Sequence, residues 1–527
     1  MARKIRGLER VLDAPALFAI AYSEIGSSLY FALGIVAAQA LGLTPVVLLL
    51  TGALFLVVSL SYAEGTAAIP ETGGAATFVR RGFNDLLGFA TGWVLLLDYL
   101  IVMALSALFL PHYLSAALDA PGLRESPWDA VLAAAVIAGI AGMRLLRHSR
   151  LYAGALAIAG LDIVVQLLLV VLGFAYLFSP DVLVEGLGFA AGQGWGDLAF
   201  ALPLAMLAYT GLETVANLAE EAREPGRTLP RSLFSAIGLV VLVTVAIATV
   251  AITAYPVENG TTPLAEEWLE APLMGVVAAL GSDLPTVLAD ALRIVVGLSG
   301  VLILLAAATT SVTGCTRLLH SMGEHEQLPR ALGRLERRTL VSSEAIVVTA
   351  VTAIAIVIAT AAAGSDVDFL ASVYSFGVLF AFTAAQLAVV RLRVKEPELA
   401  RPYRARPDVR IGGVAVPVPA LVGAPLTAVV FVLALVTHPG ARYAGPVWLA
   451  AGIVIYLVVR MRAKLGLLED VDLRAAPDGT GFQRVLVPMK LGDIGEEMVA
   501  TAVALAKERD ASVEALFVLA VPRDRAL

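Results

Sequence analysis

Cysteine is almost missing from this chain: Cys315 stands alone among 527 residues. That excludes an intramolecular disulfide and any metal site built from several thiolates, and leaves Cys315 as packing at a helix end. Histidine is scarce too. His112, His148, His320, His325 and His438 fall at loops or helix ends, without the spacing that metal ligation needs. No nucleophile, metal or phosphate-binding motif accompanies them, so neither an enzyme nor a metal or cofactor is expected. Charge is the third shortage, at 15% of residues. A net charge of −7 says little about partners when the charges are sorted by position rather than spread over one surface, and nothing points to nucleic acid.

What the chain has instead is apolar length. It is 59% hydrophobic with a mean hydropathy of +0.85, more apolar surface than a soluble core hides, so lipid is the missing solvent. A bilayer core of about 30 Å needs roughly 20 apolar residues per helix. Runs of that kind predict twelve transmembrane helices, near 15–40, 44–64, 86–118, 128–145, 151–178, 197–219, 231–255, 286–315, 343–363, 367–391, 416–437 and 444–461. A membrane barrel would show short alternating segments instead. The first run follows basic residues but is too long for a removed signal and lacks a small-residue cleavage site, so it reads as helix 1.

Basic residues orient the bundle. With the N-terminus inside, the inner segments carry Arg3, Lys4, Arg6 and Arg10, then Arg80 and Arg81, then Arg144, Arg147 and Arg150, then Arg223, Arg227 and Arg231. Arg330, Arg334, Arg337 and Arg338 follow helix 8, Arg391 to Arg410 follow helix 10, and Arg460, Arg462 and Lys464 follow helix 12. Outer loops hold only Arg124 and Arg442, while 257–283 carries Glu258, Glu266, Glu267, Glu270 and Asp283 without a base. The expectation is a multi-pass protein of the cell inner membrane with both termini cytoplasmic.

Two spans are interrupted. Helix 1 contains AYSEIGSSLYFALG (21–34), where Glu24 precedes Gly26, Ser27 and Ser28; helix 6 contains AMLAYTGLETVANLAEE (205–221), with Tyr209, Thr210, Gly211 and Glu213. Each opens a set of five helices. Glycine releases the backbone cheaply, and freed N–H and C=O groups then bind a carboxylate or a cation.

These segments resemble the amino acid-polyamine-organocation permeases, which have a LeuT-like fold. So do SYAEGTAAIPETGGAATFVRRGFNDLLGFATGW (61–93), AEEAREPGRTLPRS (219–232) and TTSVTGCTRLLHSMGEHEQLPRAL (309–332), the last similar to the family's helix 8 end and short amphipathic loop helix. The resemblance covers residues 15 to about 460. It implies an all-α membrane protein of two inverted repeats, helices 1–5 and 6–10, plus two extra helices, working by alternating access to a central site. On that reading the Gly26-Ser27-Ser28 backbone binds a substrate carboxylate, and helix 6 around Tyr209, Thr210 and Gly211, with nearby acids, binds an amine.

An acid at a helix centre costs about 2.5–3.5 kcal/mol on insertion scales, so Glu24, Asp98, Asp162 and Glu213 need compensating roles, and coupling to a proton or a cation suits them. Asp290 and Arg293, near the outer end of helix 8, read as a structural pair. Asp162 departs from the resemblance, because several proton-coupled members of the family carry a lysine in that part of helix 5. Thr309, Thr310 and Ser311 of helix 8 resemble the hydroxyl position of the sodium site in the wider fold, which implies a sodium or proton site between them and Asp162. The substrate expected is an amino acid or cationic amine, but the trio Glu24, Asp98 and Glu213 also resembles the potassium-importing branch of the superfamily. A membrane sensor is the reading of another class, and binding without flux would distinguish it.

The membrane domain is expected over 1–462, a linker over 463–481 and a tail over 482–527. FQRVLVPMKLGDIGEEMVATAVALAKERDASVEALFVLAVP (482–522) reads as strand, helix, strand, with strands at Val485–Val487 and Ser512–Val518 and a helix at 495–509. It resembles the first β-α-β unit of a universal stress protein without that family's nucleotide loop, so ATP is not expected. A piece this small rarely folds alone, which implies docking, homodimer contacts or regulation.

Overall fold

The computed structural model of the chain describes residues 12–146, 154–187, 195–209, 211–219, 222–258, 260–334, 342–364, 367–469, 484–490, 503 and 512–518. It divides into two compact units, Glu9–Asp470 and a second that holds the C-terminal strands.

The first unit is helical. Its elements begin with α1 (Ala14–Ser27), α2 (Leu29–Ala40), α3 (Thr44–Ala68) and the short α4 (Ala75–Gly82), followed by α5 (Asp85–Leu118), α6 (Trp128–Leu145), α7 (Ala155–Tyr176) and α8 (Pro180–Leu187). After α9 (Trp195–Ala205) and a 3₁₀ turn at Met206–Tyr209 come α10 (Leu212–Asn217), α11 (Pro225–Ala254), α12 (Pro263–Glu266) and α13 (Pro272–Gly281). The last are α14 (Thr286–Glu324), α15 (Ser343–Ala362), α16 (Val367–Lys395), α17 (Val418–Thr437) and α18 (Gly445–Ala463). Starts are set locally. Asp13 caps α1 by accepting from the Ala16 N–H ahead of Pro15, Asn84 caps α5 through Leu87 N–H, and Ser342 caps α15 through Ala345 N–H.

Eleven helical stretches among the described residues are long and apolar enough to cross a bilayer. The first, Ala14–Ala68, runs 55 residues, about 80 Å at 1.5 Å per residue and far more than one crossing needs. It turns at Leu41, whose φ of 48° opens a 3₁₀ segment at Leu41–Leu43. α5 is buried along its apolar length and runs beside α14, forming the centre of the unit. α7, α15, α17 and α18 instead expose valines such as Val164, Val351, Val429 and Val454, the faces expected to meet lipid.

Three boundaries differ from the sequence expectations. Helix 8 continues nine residues past 315 to Glu324, and turns rather than an amphipathic helix occupy the next described residues. Near the expected end, Gly314 lets the Tyr99 ring lie where a Cβ would be only 2.4 Å away. α11 starts six residues before the expected 231, because Pro225 at its first turn needs no N–H partner. Where a basic loop was expected between helices 10 and 11, β1 (Asp408–Ile411) pairs antiparallel with β2 (Val414–Pro417), which overlaps the expected start of helix 11 at 416. Gly412 and Gly413 both take positive φ, which makes the two-residue hairpin turn possible.

In the second unit, β3 (Arg484–Lys490) and β4 (Ser512–Val518) pair in parallel, from Arg484 opposite Ser512 to Lys490 opposite Val518. A parallel pair requires a crossover between its strands. The helix expected there over 495–509 lies outside the described residues except for Val503.

Candidate functional site

The two expected interruptions are unequal. Helix 1 is interrupted at one residue: Ser28 keeps helical angles (φ −61°, ψ −29°), and its N–H returns to Ile25 O at 3.2 Å. The Ser27 and Ser28 hydroxyls both donate to the Glu24 carbonyl, at 2.8 and 3.3 Å, and Gly26 packs on the Tyr22 ring. The open Gly-Ser-Ser backbone expected from sequence is therefore corrected to a tight kink, because the serine side chains cap the chain on itself. Helix 6 is broken more deeply. α9 tightens into the 3₁₀ turn, Gly211 takes φ 100°, and the chain resumes as the six-residue α10. Thr210 lies outside the described residues.

Gly211 also allows a close approach. A Cβ there would sit 2.6 Å from Glu24 Cγ, so the break in helix 6 lies directly on the helix 1 acid. Glu24 is buried; its Oε1 accepts from Ser311 Oγ at 2.7 Å, and its Oε2 accepts from the Thr310 hydroxyl. Thus α1, α10 and α14 meet at one carboxylate.

Beside it lies a cavity of about 10 Å³, about the minimum that admits one water molecule. Glu24, Asp98 and Glu213 all line it, together with Gly211, Thr214 and Tyr374. Asp98 is only 4% exposed, and neither of its oxygens has a hydrogen-bond partner among the described residues; the same holds for Glu213 Oε1. Space for Asp98 comes from Gly377 of α16, where a Cβ would stand 2.2 Å from Asp98 Oδ1. None of the lining residues is basic. Three carboxylates around a small cavity with no base in its lining form an arrangement that a positively charged guest completes.

The remaining expected residues are elsewhere. Asp162 accepts from Tyr22 at 2.8 Å, from Gln166 at 2.8 Å, from Ser299 at 3.1 Å and from Tyr30. Ser299 precedes Thr310 by eleven residues on α14, about 16 Å along the axis. The expected grouping of Asp162 with Thr309, Thr310 and Ser311 is corrected accordingly: Thr310 and Ser311 face Glu24, and the Thr309 hydroxyl returns to Leu305 O on its own helix. The Tyr209 hydroxyl donates to Leu48 O at 2.7 Å and its ring stacks on Phe55, so it braces α3 rather than lining the cavity. Arg293 contacts Asp290 at 3.9 Å and Asp119 at 3.5 Å.

Several contributors went unread in the sequence. Asn217 donates to the Tyr99 hydroxyl at 2.7 Å and accepts from Gly73 N–H at 3.1 Å, while Ser321 donates to Thr72 O at 2.7 Å. These bonds tie the segment before α4 to α5, α10 and α14. Tyr99 and Thr214 each follow an acid that was singled out, which is the signal that could have found them. Tyr374 carries no such signal.

On one face of this bundle, Glu64 of α3 and Arg393 of α16 form a two-pronged pair at 2.6 and 2.7 Å, each 2% exposed. Arg393 also meets Asp408 at 3.1 Å, and Arg401 lies 3.5 Å from Glu64. Nearby, Arg81 holds Glu396 through two nitrogens and lowers that carboxyl below its ordinary value.

A polytopic helical bundle with a small acid-lined cavity among its helices fits a membrane transporter. Comparison with known proteins makes the assignment specific: the amino acid permease family profile matches residues 12–459, and the chain belongs to that family. It is 24% identical over 479 residues to the methylthioribose transporter of Bacillus subtilis (strain 168), covering 88% of this chain and 96% of that one. It is 25% identical to the branched-chain amino acid permease BcaP of the same organism, over 77% and 83%. Cationic amino acid transporter 4 of Mus musculus is 24% identical over 71% of this chain and 58% of its own.

Proposed function

We propose that this permease is a secondary active transporter for a positively charged substrate, a cationic amino acid or amine, moved by alternating access and coupled to a cation gradient. The observation that carries this reading is the base-free cavity bounded by Glu24, Asp98 and Glu213, with Asp98 lacking any hydrogen-bond partner among the described residues. A sugar offsets none of the three acids and a zwitterion brings a further carboxylate with its ammonium, whereas each positive charge on a cation offsets one of them. The wider architecture we propose is twelve spans, counting Ala14–Ala68 as two, in a LeuT-like inverted repeat of five and five plus two more. It sits in the cell inner membrane with both termini cytoplasmic. The tail is a partial universal-stress-protein-like unit that serves homodimer contacts or regulation, and its deletion should change oligomeric state or transport rate.

Proton coupling fits better than sodium. The Thr310 and Ser311 hydroxyls are engaged by the Glu24 carboxylate, and Arg144 reaches the Thr313 hydroxyl and the Thr309 carbonyl on the same helix. A guanidinium there competes with a bound sodium ion.

Potassium import is the second reading, favoured by cavity size: about 10 Å³ accepts a bare ion without rearrangement, whereas an organic cation requires the site to open. Reconstitution into liposomes decides among these. Uptake of labelled cationic amino acids and amines should exceed that of neutral ones under an imposed proton gradient, and Glu24→Gln should abolish gradient-driven accumulation. Saturable potassium flux without organic uptake establishes the second reading, and binding without flux of any substrate points to a sensor.

A further inference from the structure

Away from the central cavity, a second space of about 230 Å³ lies between α5, α14, α15 and α18. Leu96 and Leu100 of α5, Leu319 of α14 and Trp448 of α18 form its walls, and Leu328 and Leu332, just past the end of α14, close one end. Most of its few polar groups pair with one another. Trp93 Nε1 donates to Trp448 O at 2.8 Å, Trp448 Nε1 donates to Trp93 O at 2.9 Å, and the Thr349 hydroxyl lies 3.3 Å from Cys315 Sγ. Water entering here would find few partners, and apolar cavities of about 150 Å³ stay dry and take benzene-sized guests.

The mouth faces the bilayer side of the bundle. Its rim includes Val348, 45% exposed on α15, and Ile455, 37% exposed on α18, continuous with the exposed Val351 and Val454. The solvent of that surface is hydrocarbon. Charge at the closed end is positive: Arg330 and Arg334 are exposed on the same short segment that supplies Leu328 and Leu332. Glu326 offsets part of the Arg330 charge, leaving the segment basic on balance.

We infer that this groove is a binding site for one anionic phospholipid, its acyl chain between α5, α14, α15 and α18 and its headgroup beside Arg330 and Arg334. The lipid then forms part of the wall supporting α14, the helix that presents Thr310 and Ser311 to Glu24. The proposal does not depend on which substrate the central cavity takes.

Native mass spectrometry of the full chain in mild detergent, titrated with phosphatidylglycerol or phosphatidylcholine, tests it. Wild type should retain one phosphatidylglycerol per chain at concentrations about tenfold below those needed for phosphatidylcholine. Thr352→Phe, or Val348→Phe if the first folds poorly, fills the groove from its lipid-facing rim and should cut retention at least fivefold. Arg330→Gln with Arg334→Gln should keep a bound lipid but erase the headgroup preference. Equal retention of both lipids by wild type, no retained lipid, or undiminished retention by a folded Phe variant overturns the assignment.

Discussion

Adding a single methyl group at Gly377 should weaken substrate affinity while leaving the fold intact. An alanine Cβ there would lie 2.2 Å from Asp98 Oδ1 and 3.0 Å from the Val94 carbonyl oxygen, against an ordinary contact of 3.4 Å or more. The Val94 oxygen belongs to the α5 backbone and has little room to yield. The carboxylate must therefore retreat by more than about 1 Å, into a cavity of only about 10 Å³. Overpacking of this kind costs about 1–3 kcal/mol. If that cost falls on the substrate-bound state, affinity drops about fivefold to 150-fold. Stability should suffer less, because alanine is about 1 kcal/mol better than glycine inside a helix such as α16. Uptake into proteoliposomes over a range of substrate concentrations, with thermal unfolding in parallel, reads both quantities. Gly238→Ala on α11, where a Cβ meets nothing within 4 Å, is the control and should transport as wild type. Gly377→Ala transporting with an unchanged KM in a folded protein would refute the view that Asp98 faces the substrate.

Arg393→Met leaves Glu64 buried with Arg401 and the Ala405 N–H as its remaining partners among the described residues, and should destabilise the protein by about 3 kcal/mol in detergent unfolding. The double variant with Glu64→Gln should lose less than the sum of the single changes; strict additivity would show the pair uncoupled. Burial depresses the His325 imidazole to about 3 and the His438 imidazole to about 4, from the ordinary 6.5. In both cases the unfolded chain takes up a proton first, so stability is complete above pH 6.5 and falls as pH drops, by about 1.4 kcal/mol per unit for each group. His325→Asn, which can still donate toward Ser321 O, should reduce that slope between pH 6.5 and 5 by up to about 1.4 kcal/mol per unit; an unaltered slope would show that His325 is not kept neutral.

Much of the bundle was legible because a bilayer needs long apolar runs, and charges and prolines mark their ends. The break in helix 6 was legible for the same kind of reason: Gly211 adopts a backbone angle that other residues resist. Helix 1 misled because its glycine and serines look like those of an open turn, while the serine hydroxyls cap the Glu24 carbonyl from within the helix. The division of acids was beyond reach, since Asp162 and Glu24 are both lone carboxylates in apolar runs. What separates them is which faces of α1, α2 and α14 converge on each. The hairpin at 408–417 had a visible signal, Gly412-Gly413 between short β-favouring pairs, hidden among arginines that were read only for charge.

Asp162 sets a mechanical condition on helix 1. Tyr22 precedes the kink and Tyr30 follows it, yet both hydroxyls end on the same carboxylate, which Gln166 of α7 and Ser299 of α14 steady. The two arms of the kink are thus pinned to a third party. Bending at Ser28 must either carry α7 along or surrender a tyrosine bond, so the joint has a stop built into its neighbours.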